Sequence, residues 1–142
     1  MPSNLNEQRN LKIAIAGLGF GENVHLPASN FNERIETIAL WHPRSERVNT
    51  ASLKNGVKGY TEWEEMLNNS EIEAIILATP PNVRYQLALQ ALNAQKHLLL
   101  EKPAGLNANE VKELHQLATK NNLKVAVDYE YRAVPLFIQA KR

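Results

Sequence analysis

The chain has 142 residues, 44% of them hydrophobic and 22% charged, which is typical of a single globular domain. Its formal net charge of +1 predicts no nucleic-acid or membrane partner, and the lack of cysteine excludes disulfides, thiolate metal sites and a cysteine nucleophile. The polar start of the sequence has no apolar segment of the signal-peptide kind, so we expect a cytoplasmic protein.

Six short apolar runs predict strands, and several are continuous, as expected for a parallel sheet covered on both faces. They span residues 11–16, 35–41, 57–60, 74–78, 97–100 and 124–127. Helical patterns alternate with them, which predicts an α/β fold with a doubly wound parallel sheet. Ligands bind such sheets at the carboxyl ends of the strands, where the strand order reverses.

Capping signals mark the starts of three of the predicted helices. They are a capping box of Thr61 with Glu64, a cap at Asn82, and a cap at Asn107 with Glu110. The helix after Asn82 has an apolar stripe that we expect to face the core, formed by Val83, Leu87, Ala91 and Leu92.

Three glycines, Gly17, Gly19 and Gly21, follow the first predicted strand in "GLGFGENVH". The first two match the G-x-G-x-x-G fingerprint, which turns the chain tightly and lets its backbone approach a pyrophosphate. Glu22 stands at the third glycine position, so Gly21 is expected to relieve the crowding between helix and strand instead. Since its charge would repel a phosphate, we expect the Glu22 carboxylate to turn away from the cofactor. The alternative is a plain strand-to-helix turn.

The loop after the second strand, "WHPRSER", bears on the choice between NAD and NADP. NAD-specific sites usually place Asp or Glu about 20 residues after the glycines, and no acid stands there. His42, Arg44 and Ser45 are the candidate cofactor contacts, and Arg47 adds a second guanidinium that suits a phosphate. This pattern favours NADP over NAD. The alternative is a solvated loop in which Ser45 caps the next helix.

Two further turns lie at the predicted ligand edge. Thr79, Pro80 and Asn82 belong to "ATPPN", a stiff turn that could hold a ribose or nicotinamide, or serve only as a strand-to-helix turn. "LLLEKPAG" delivers Glu101 and Lys102 to the same edge. A lysine in a desolvated cleft beside a positive nicotinamide could have a lowered pKa and move a proton. The alternative is a surface ion pair that ends a strand.

Four segments, in this order and at these separations, resemble the Gfo/Idh/MocA oxidoreductases: "AGLGFGENVHLPA", "AIILATPPN", "HLLLEKPAG" and "VDYEYRAVP". The likeness covers nearly the whole chain after its polar start, and the E-K-P tripeptide is its most specific element. It implies an NAD(P)-binding Rossmann domain, followed in the family by an α/β domain with a large, mostly antiparallel sheet.

The resemblance also implies a role for each candidate residue. The pyrophosphate would be held by Gly17, Gly19 and the adjoining backbone of Phe20 and Gly21. The adenosine ribose would lie at Arg44 and Ser45. The nicotinamide side of the cofactor would be lined by Thr79, Pro80, Asn82, Glu101 and Arg132. Lys102 would contact the substrate and assist catalysis.

We therefore expect a polar segment at 1–10, the Rossmann domain at 11–132, and at 133–142 the start of a helix leading toward an absent C-terminal domain. The complete enzyme would transfer hydride between NAD(P) and a small hydroxyl-bearing, sugar- or polyol-like substrate and would form a homo-oligomer. The present chain would be inactive alone. No metal site is predicted, because no histidine pair has metal-ligand spacing. A non-catalytic binding or regulatory module and a biliverdin-reductase-like enzyme are the alternatives.

Overall fold

Six parallel strands form one sheet in the computed structural model of the protein, which describes residues 9–141. The strands are β1 (Leu11–Ala16), β2 (Ile35–Trp41), β3 (Lys58–Tyr60), β4 (Ala74–Leu77), β5 (His97–Glu101) and β6 (Val125–Asp128). Their spatial order is β3-β2-β1-β4-β5-β6, so the chain runs outward from β1 on one side and then on the other. The predicted doubly wound sheet is confirmed, and its order reverses between β1 and β4.

Helices cover both faces of this sheet. They are α1 (Leu26–Asn30), α2 (Ser45–Asn55), α3 (Trp63–Leu67), α4 (Pro81–Asn93), α5 (Ala108–Lys120) and α6 (Pro135–Ala140). A π-helical turn, Gly21–His25, precedes α1, and a 3-10 turn, Glu130–Ala133, precedes α6. No helix within residues 9–141 is both long and apolar enough to cross a bilayer.

The two faces of β1 explain how the sheet builds two separate apolar layers. Ile13 and Ile15 belong to the cluster that includes buried residues of α1 and α2. Ala14 and Ala16 belong to the other cluster, with buried residues of α3, α4 and α5. Because successive strand residues face opposite sides, an unbroken apolar run supplies both layers at once.

The predicted strand boundaries differ from the observed ones by one residue at most. The fifth strand runs one residue further than predicted and ends at Glu101, while β6 starts at Val125 instead of residue 124. Glu101 is therefore the last residue of a buried strand and is only 8% exposed. At the end of a buried strand, Glu101 has less conformational freedom than it would have in the following turn.

Of the three predicted helix caps, only the one at Asn107 is confirmed. Its side-chain oxygen accepts a hydrogen bond from the N–H of Glu110 (3.0 Å). The Thr61 cap is wrong, because α3 starts at Trp63 after an extended Glu62 and has no side-chain cap. The Asn82 cap is also wrong, because α4 already starts at Pro81, whose fixed φ and missing N–H suit the first helical position.

The predicted core stripe of α4 is also partly wrong. Val83 is 41% exposed, while Arg84 and Ala88 join Ala91 and Leu92 on the buried face. The small alanine side chains let the helix backbone lie close to its neighbours, so this face turns inward although Val83 is more apolar. An arginine is thereby placed inside the fold, next to the carboxyl edge of the sheet.

The two ends of the chain fall outside this core. The predicted polar segment 1–10 lies outside the described residues except for Arg9 and Asn10. At the other end, α6 spans Pro135–Ala140, and its apolar side chains Leu136 and Phe137 are 74% and 56% exposed.

The difference between the two asparagines gives a direct test of the helix starts. We expect Asn107→Ala to lower the free energy of unfolding by about 1 kcal/mol, because it removes a cap. The control, Asn82→Ala, should change it by less than about 0.5 kcal/mol, because Asn82 caps nothing. Urea unfolding of both variants measures the two values. An equal loss in both would show that Asn107 is not the stabilising cap.

Candidate cofactor-binding site

The glycine loop leaves β1 by passing directly over the end of β4. Gly17 has a φ of +98°, and a Cβ at this position would lie 2.5 Å from the carbonyl oxygen of Ala78. Its N–H donates to the carbonyl of Trp41 (3.1 Å), which fixes the turn to β2. A Cβ on Gly19, in contrast, would meet nothing within 4 Å. Gly17 therefore serves the tight turn, and Gly19 leaves backbone open to the space above the sheet.

Gly21 performs the packing role that the fingerprint assigns to its third glycine. A Cβ on it would lie 2.8 Å from Cγ2 of Ile15 and 3.3 Å from Cβ of Ala78. Glu22 points elsewhere: its carboxylate pairs with Lys54 of α2 at 3.2 Å. That pairing agrees with a carboxylate turned away from the cofactor, which stays a prediction for the bound state.

A cleft of about 710 Å³ opens beside this loop, at the reversal point of the sheet. It is lined by residues from the turns after β1, β2 and β4, among them the predicted Gly17, Gly19, His42, Arg44, Thr79 and Pro80. The other seven predicted residues do not line it: Phe20, Gly21, Ser45, Asn82, Glu101, Lys102 and Arg132. Its size is that of a typical small-molecule site.

The loop after β2 and the first turn of α2 place two cations, Arg44 and Arg47, in the lining of this cleft. The imidazole of His42 accepts a hydrogen bond at Nδ1 from the N–H of Arg44 (3.0 Å), and Nη1 of Arg47 lies 3.4 Å from its Nε2. Burial, and then the charges of Arg47 and Arg44, lower the pKa of His42. A neutral imidazole has a single acceptor nitrogen, so the ring holds the backbone of Arg44 through Nδ1, while Nε2 carries the hydrogen and only lies near the guanidinium of Arg47. The alternative cap at Ser45 is wrong, because the N-cap position of α2 is Arg44.

The turn after β4 supplies a buried hydroxyl to the same cleft. Thr79 is 4% exposed, and within the part of the chain that the structure describes its Oγ1 has no hydrogen-bond partner. A buried hydroxyl without a partner is costly, so this atom is suited to a polar ligand in the cleft. Open glycine backbone, an unpartnered hydroxyl and two guanidinium groups are the donor set that a dinucleotide requires, so these residues fit such a cofactor.

Glu101 is held on both oxygens of its carboxylate. Oε1 lies 2.8 Å from Nε2 of His25, and Oε2 accepts from the N–H of Lys102 at 3.2 Å. His25 is itself buried, and Asp128 lies 4.0 Å from its Nε2. Sequence reasoning gave His25 no role. Its position four residues after Gly21, on the helical turn that the glycine loop starts, is the signal that it lies near the ligand edge.

Lys102 stands beside Glu101 but reaches into solvent. Its Nζ pairs with the carboxylate of Glu130 at 3.2 Å, and this contact raises the pKa of Lys102. Here the ammonium is partly exposed and faces an acid, so its pKa shifts in the opposite direction from the lowering expected beside a positive nicotinamide, which stays a prediction for the bound state. Lys102 and Arg132 both line a second cleft, of about 620 Å³, between the turns after β5 and β6.

Arg84 is the second residue that sequence reasoning missed. Its guanidinium donates from Nη1 to the carbonyl oxygens of Glu101 (2.6 Å) and Pro103, and from Nη2 to that of Thr79. The available signal was its spacing, since Arg84 lies four and seven residues before Ala88 and Ala91 on one helix face.

The fold and this cleft define a domain of the dinucleotide-binding Rossmann class. A family model described as "Oxidoreductase family, NAD-binding Rossmann fold" matches residues 11–129. That family is Gfo/Idh/MocA, and the chain belongs to it.

Individual relatives agree with this assignment. The chain is 37% identical over 132 residues to the uncharacterized oxidoreductase sll0816 of Synechocystis sp., covering 92% of the chain and 36% of that protein. It is 25% identical over 135 residues to inositol 2-dehydrogenase of Salmonella paratyphi B, covering 92% and 40%. The chain thus spans well under half the length of these relatives.

Solved structures show the same fold. The 3-ketoreductase KijD10 of Actinomadura kijaniata, crystallised with NADP and TDP-benzene, superposes with a TM-score of 0.88 at 20% identity. The match covers 93% of this chain and 41% of the KijD10 chain.

The different surroundings of Gly19 and Gly21 can be tested by substituting each with alanine. Gly21→Ala should lower the free energy of unfolding by about 1–3 kcal/mol, because its Cβ would press on a packed core. Gly19→Ala is the matched control and should cost less than about 0.5 kcal/mol, because its Cβ meets open space. Denaturant unfolding of the two variants compares them. A costly Gly19→Ala beside a harmless Gly21→Ala would contradict this account of the loop.

Proposed function

We propose that the chain binds NADP and serves an oxidoreductase that transfers hydride between the nicotinamide and a hydroxyl-bearing carbon of a small sugar- or polyol-like substrate. The observation that carries the proposal is the placement of a charged lysine, Lys102, next to a fixed carboxylate at the ligand edge of a Rossmann sheet. The relation to inositol 2-dehydrogenase supports a polyol-like substrate.

The cofactor would lie along the carboxyl edge, from the turn after β2 to the turn after β5. The open backbone at Gly19 would receive the pyrophosphate, and the hydroxyl of Thr79 would meet a polar group of the cofactor. The carboxylate of Glu101 would accept hydrogen bonds from the nicotinamide ribose. His25 and the N–H of Lys102 already hold that carboxylate, so little side-chain freedom would be lost on binding.

The preference for NADP is argued from charge at the adenosine end. The turn after β2 has no acid where an NAD site would place one, and it presents Arg44 and Arg47 to the cleft. A 2′-phosphate would pair with these guanidinium groups, whereas the 2′-hydroxyl of NAD would give them no anionic partner.

The proposed role of Lys102 is to manage the proton of the reacting hydroxyl. When bound, the nicotinamide supplies the hydride chemistry. Glu130 raises the pKa of Lys102, which keeps its ammonium charged at neutral pH and able to polarise a carbonyl oxygen, and which also makes it a weaker acid. During reduction of a carbonyl, this ammonium would polarise the oxygen and give it a proton. During oxidation, the substrate oxygen would return that proton to the amine.

Cofactor preference is tested by isothermal titration of the chain with NADPH and NADH. We expect tighter binding of NADPH. Since a charged hydrogen bond is worth about 1.5–3 kcal/mol, Arg47→Ala should weaken NADPH binding about tenfold and leave NADH unchanged. Arg34→Ala, which alters a cation outside the cleft, is the control and should bind both as before. Tighter binding of NADH would overturn the NADP assignment, and no binding of either would overturn the proposed function.

Catalysis by Lys102 is tested in the complete gene product, with NADP and a panel of polyols and sugars. Lys102→Ala should lower kcat about 10²–10⁴-fold, the usual contribution of a proton-transfer group, while the dissociation constant of NADPH stays within about twofold. Lys124→Ala, an exposed lysine at the amino end of β6, is the matched control. Full activity in Lys102→Ala would remove this lysine from the mechanism.

A further inference from the structure

Arg84 joins two turns that the strand ladder does not reach. The paired residues of β4 and β5 end at Leu77 and Leu100. Beyond them, the guanidinium of Arg84 donates to Thr79 in one turn and to both Glu101 and Pro103 in the other. The two turns are those that carry Thr79 and Lys102, at the cofactor cleft and the second cleft.

The burial of Arg84 makes this connection rigid. The residue is 3% exposed and lines neither cleft. Burial lowers the pKa of its guanidinium, and the nearby carboxylate of Glu101 opposes that shift. A charged group removed from water needs its hydrogen bonds, so separating the turns would leave a buried cation without partners.

We infer that Arg84 is a positioning residue, which sets the spacing between the cofactor turn at Thr79 and the Glu101–Lys102 turn. The inference rests on the proposed function, since it assigns Arg84 a purpose in a cofactor site that Arg84 does not touch. Because Arg84 bonds to the carbonyl of Glu101, it holds the backbone of this residue while His25 holds the carboxylate. Loosening either turn would misplace groups that must meet one ligand within fractions of an ångström.

A structural role alone would give a similar contact pattern, and Lys96 provides the comparison. Lys96 is also a buried cation, 7% exposed, and its Nζ donates to the carbonyls of Asn69 (2.9 Å) and Ile72 (2.8 Å). It lies just before β5, at the amino edge of the sheet, opposite the clefts. Arg84 and Lys96 therefore differ in the edge that they hold.

The experiment compares Arg84→Met, Arg84→Lys and Lys96→Met with the unaltered chain. Melting temperature, the NADPH dissociation constant and amide hydrogen exchange without cofactor are measured, with binding assayed at a temperature where every protein is folded. Both methionine variants should melt earlier. Of these two, Arg84→Met alone should weaken NADPH binding, by about tenfold, since misplaced contacts at a site are costly. Arg84→Lys keeps the positive charge but not the planar guanidinium that bonds to both turns, so we expect NADPH binding to weaken less than in Arg84→Met.

Hydrogen exchange locates the effect within the chain. In the Arg84 variants, exchange should accelerate in the turns at 78–80 and 101–105, and in Lys96→Met around 69–72 instead. If Arg84→Met does not fold, Arg84→Lys decides with the same measurements. NADPH binding and exchange in Arg84→Lys that equal those of the unaltered chain would overturn the inference. If the unaltered chain binds neither NADPH nor NADH, the proposed function fails, while the exchange pattern still decides whether Arg84 holds the two turns.

Discussion

The close approach of the glycine loop to the end of β4 is the constraint on which the site depends. Gly17 and Gly21 both lie against Ala78: a Cβ on Gly17 would be 2.5 Å from its carbonyl oxygen, and a Cβ on Gly21 would be 3.3 Å from its Cβ. This contact brings the turn after β1 over the turn after β4, and the cleft opens beside it. Thr79 follows Ala78 directly, and its carbonyl accepts from Arg84, which extends the same line of contacts to β5. The turns of the ligand edge are thus linked in series, first by close packing of the glycine loop on Ala78 and then by hydrogen bonds from the Arg84 side chain.

Charge is distributed unevenly along this edge. The turn after β2 carries Arg44 and Arg47, with a neutral His42 between them. The ends of β5 and β6 instead carry Glu101 and Asp128, and Glu130 follows close by. Lys102, Arg132 and the buried Arg84 lie at this same end, so cations accompany the acids there. Among the described residues that line the cofactor cleft, in contrast, Arg44 and Arg47 are charged and none is acidic, which suits the anionic part of a dinucleotide.

The fold was predictable because each strand is an unbroken apolar run, and such runs serve a sheet covered on both faces. The residues of the cleft were predictable where they follow strand ends, as Gly17, His42 and Thr79 do. Arg84 was missed because a helix face is identified by its apolar residues, and here the buried face was marked by small alanines. The Lys102–Glu130 pair was missed because it joins two turns whose spacing depends on the strand order. Local sequence therefore identifies which turns form the site, but not the long-range contacts that fix their side chains.

The strand order also has a consequence for how the chain is made. β1 lies between β2 and β4, yet β4 begins only at Ala74, nearly sixty residues after the end of β1. During synthesis from the amino end, the apolar strand β1 can pair with β2 early, but its other edge stays open until β4 emerges. Unpaired strand edges are the surfaces through which nascent chains associate wrongly. The strand order that places the glycine loop at the centre of the sheet therefore also leaves one edge of β1 unpaired until β4 has been made. By then β2 already has a partner strand on each side, β1 and β3.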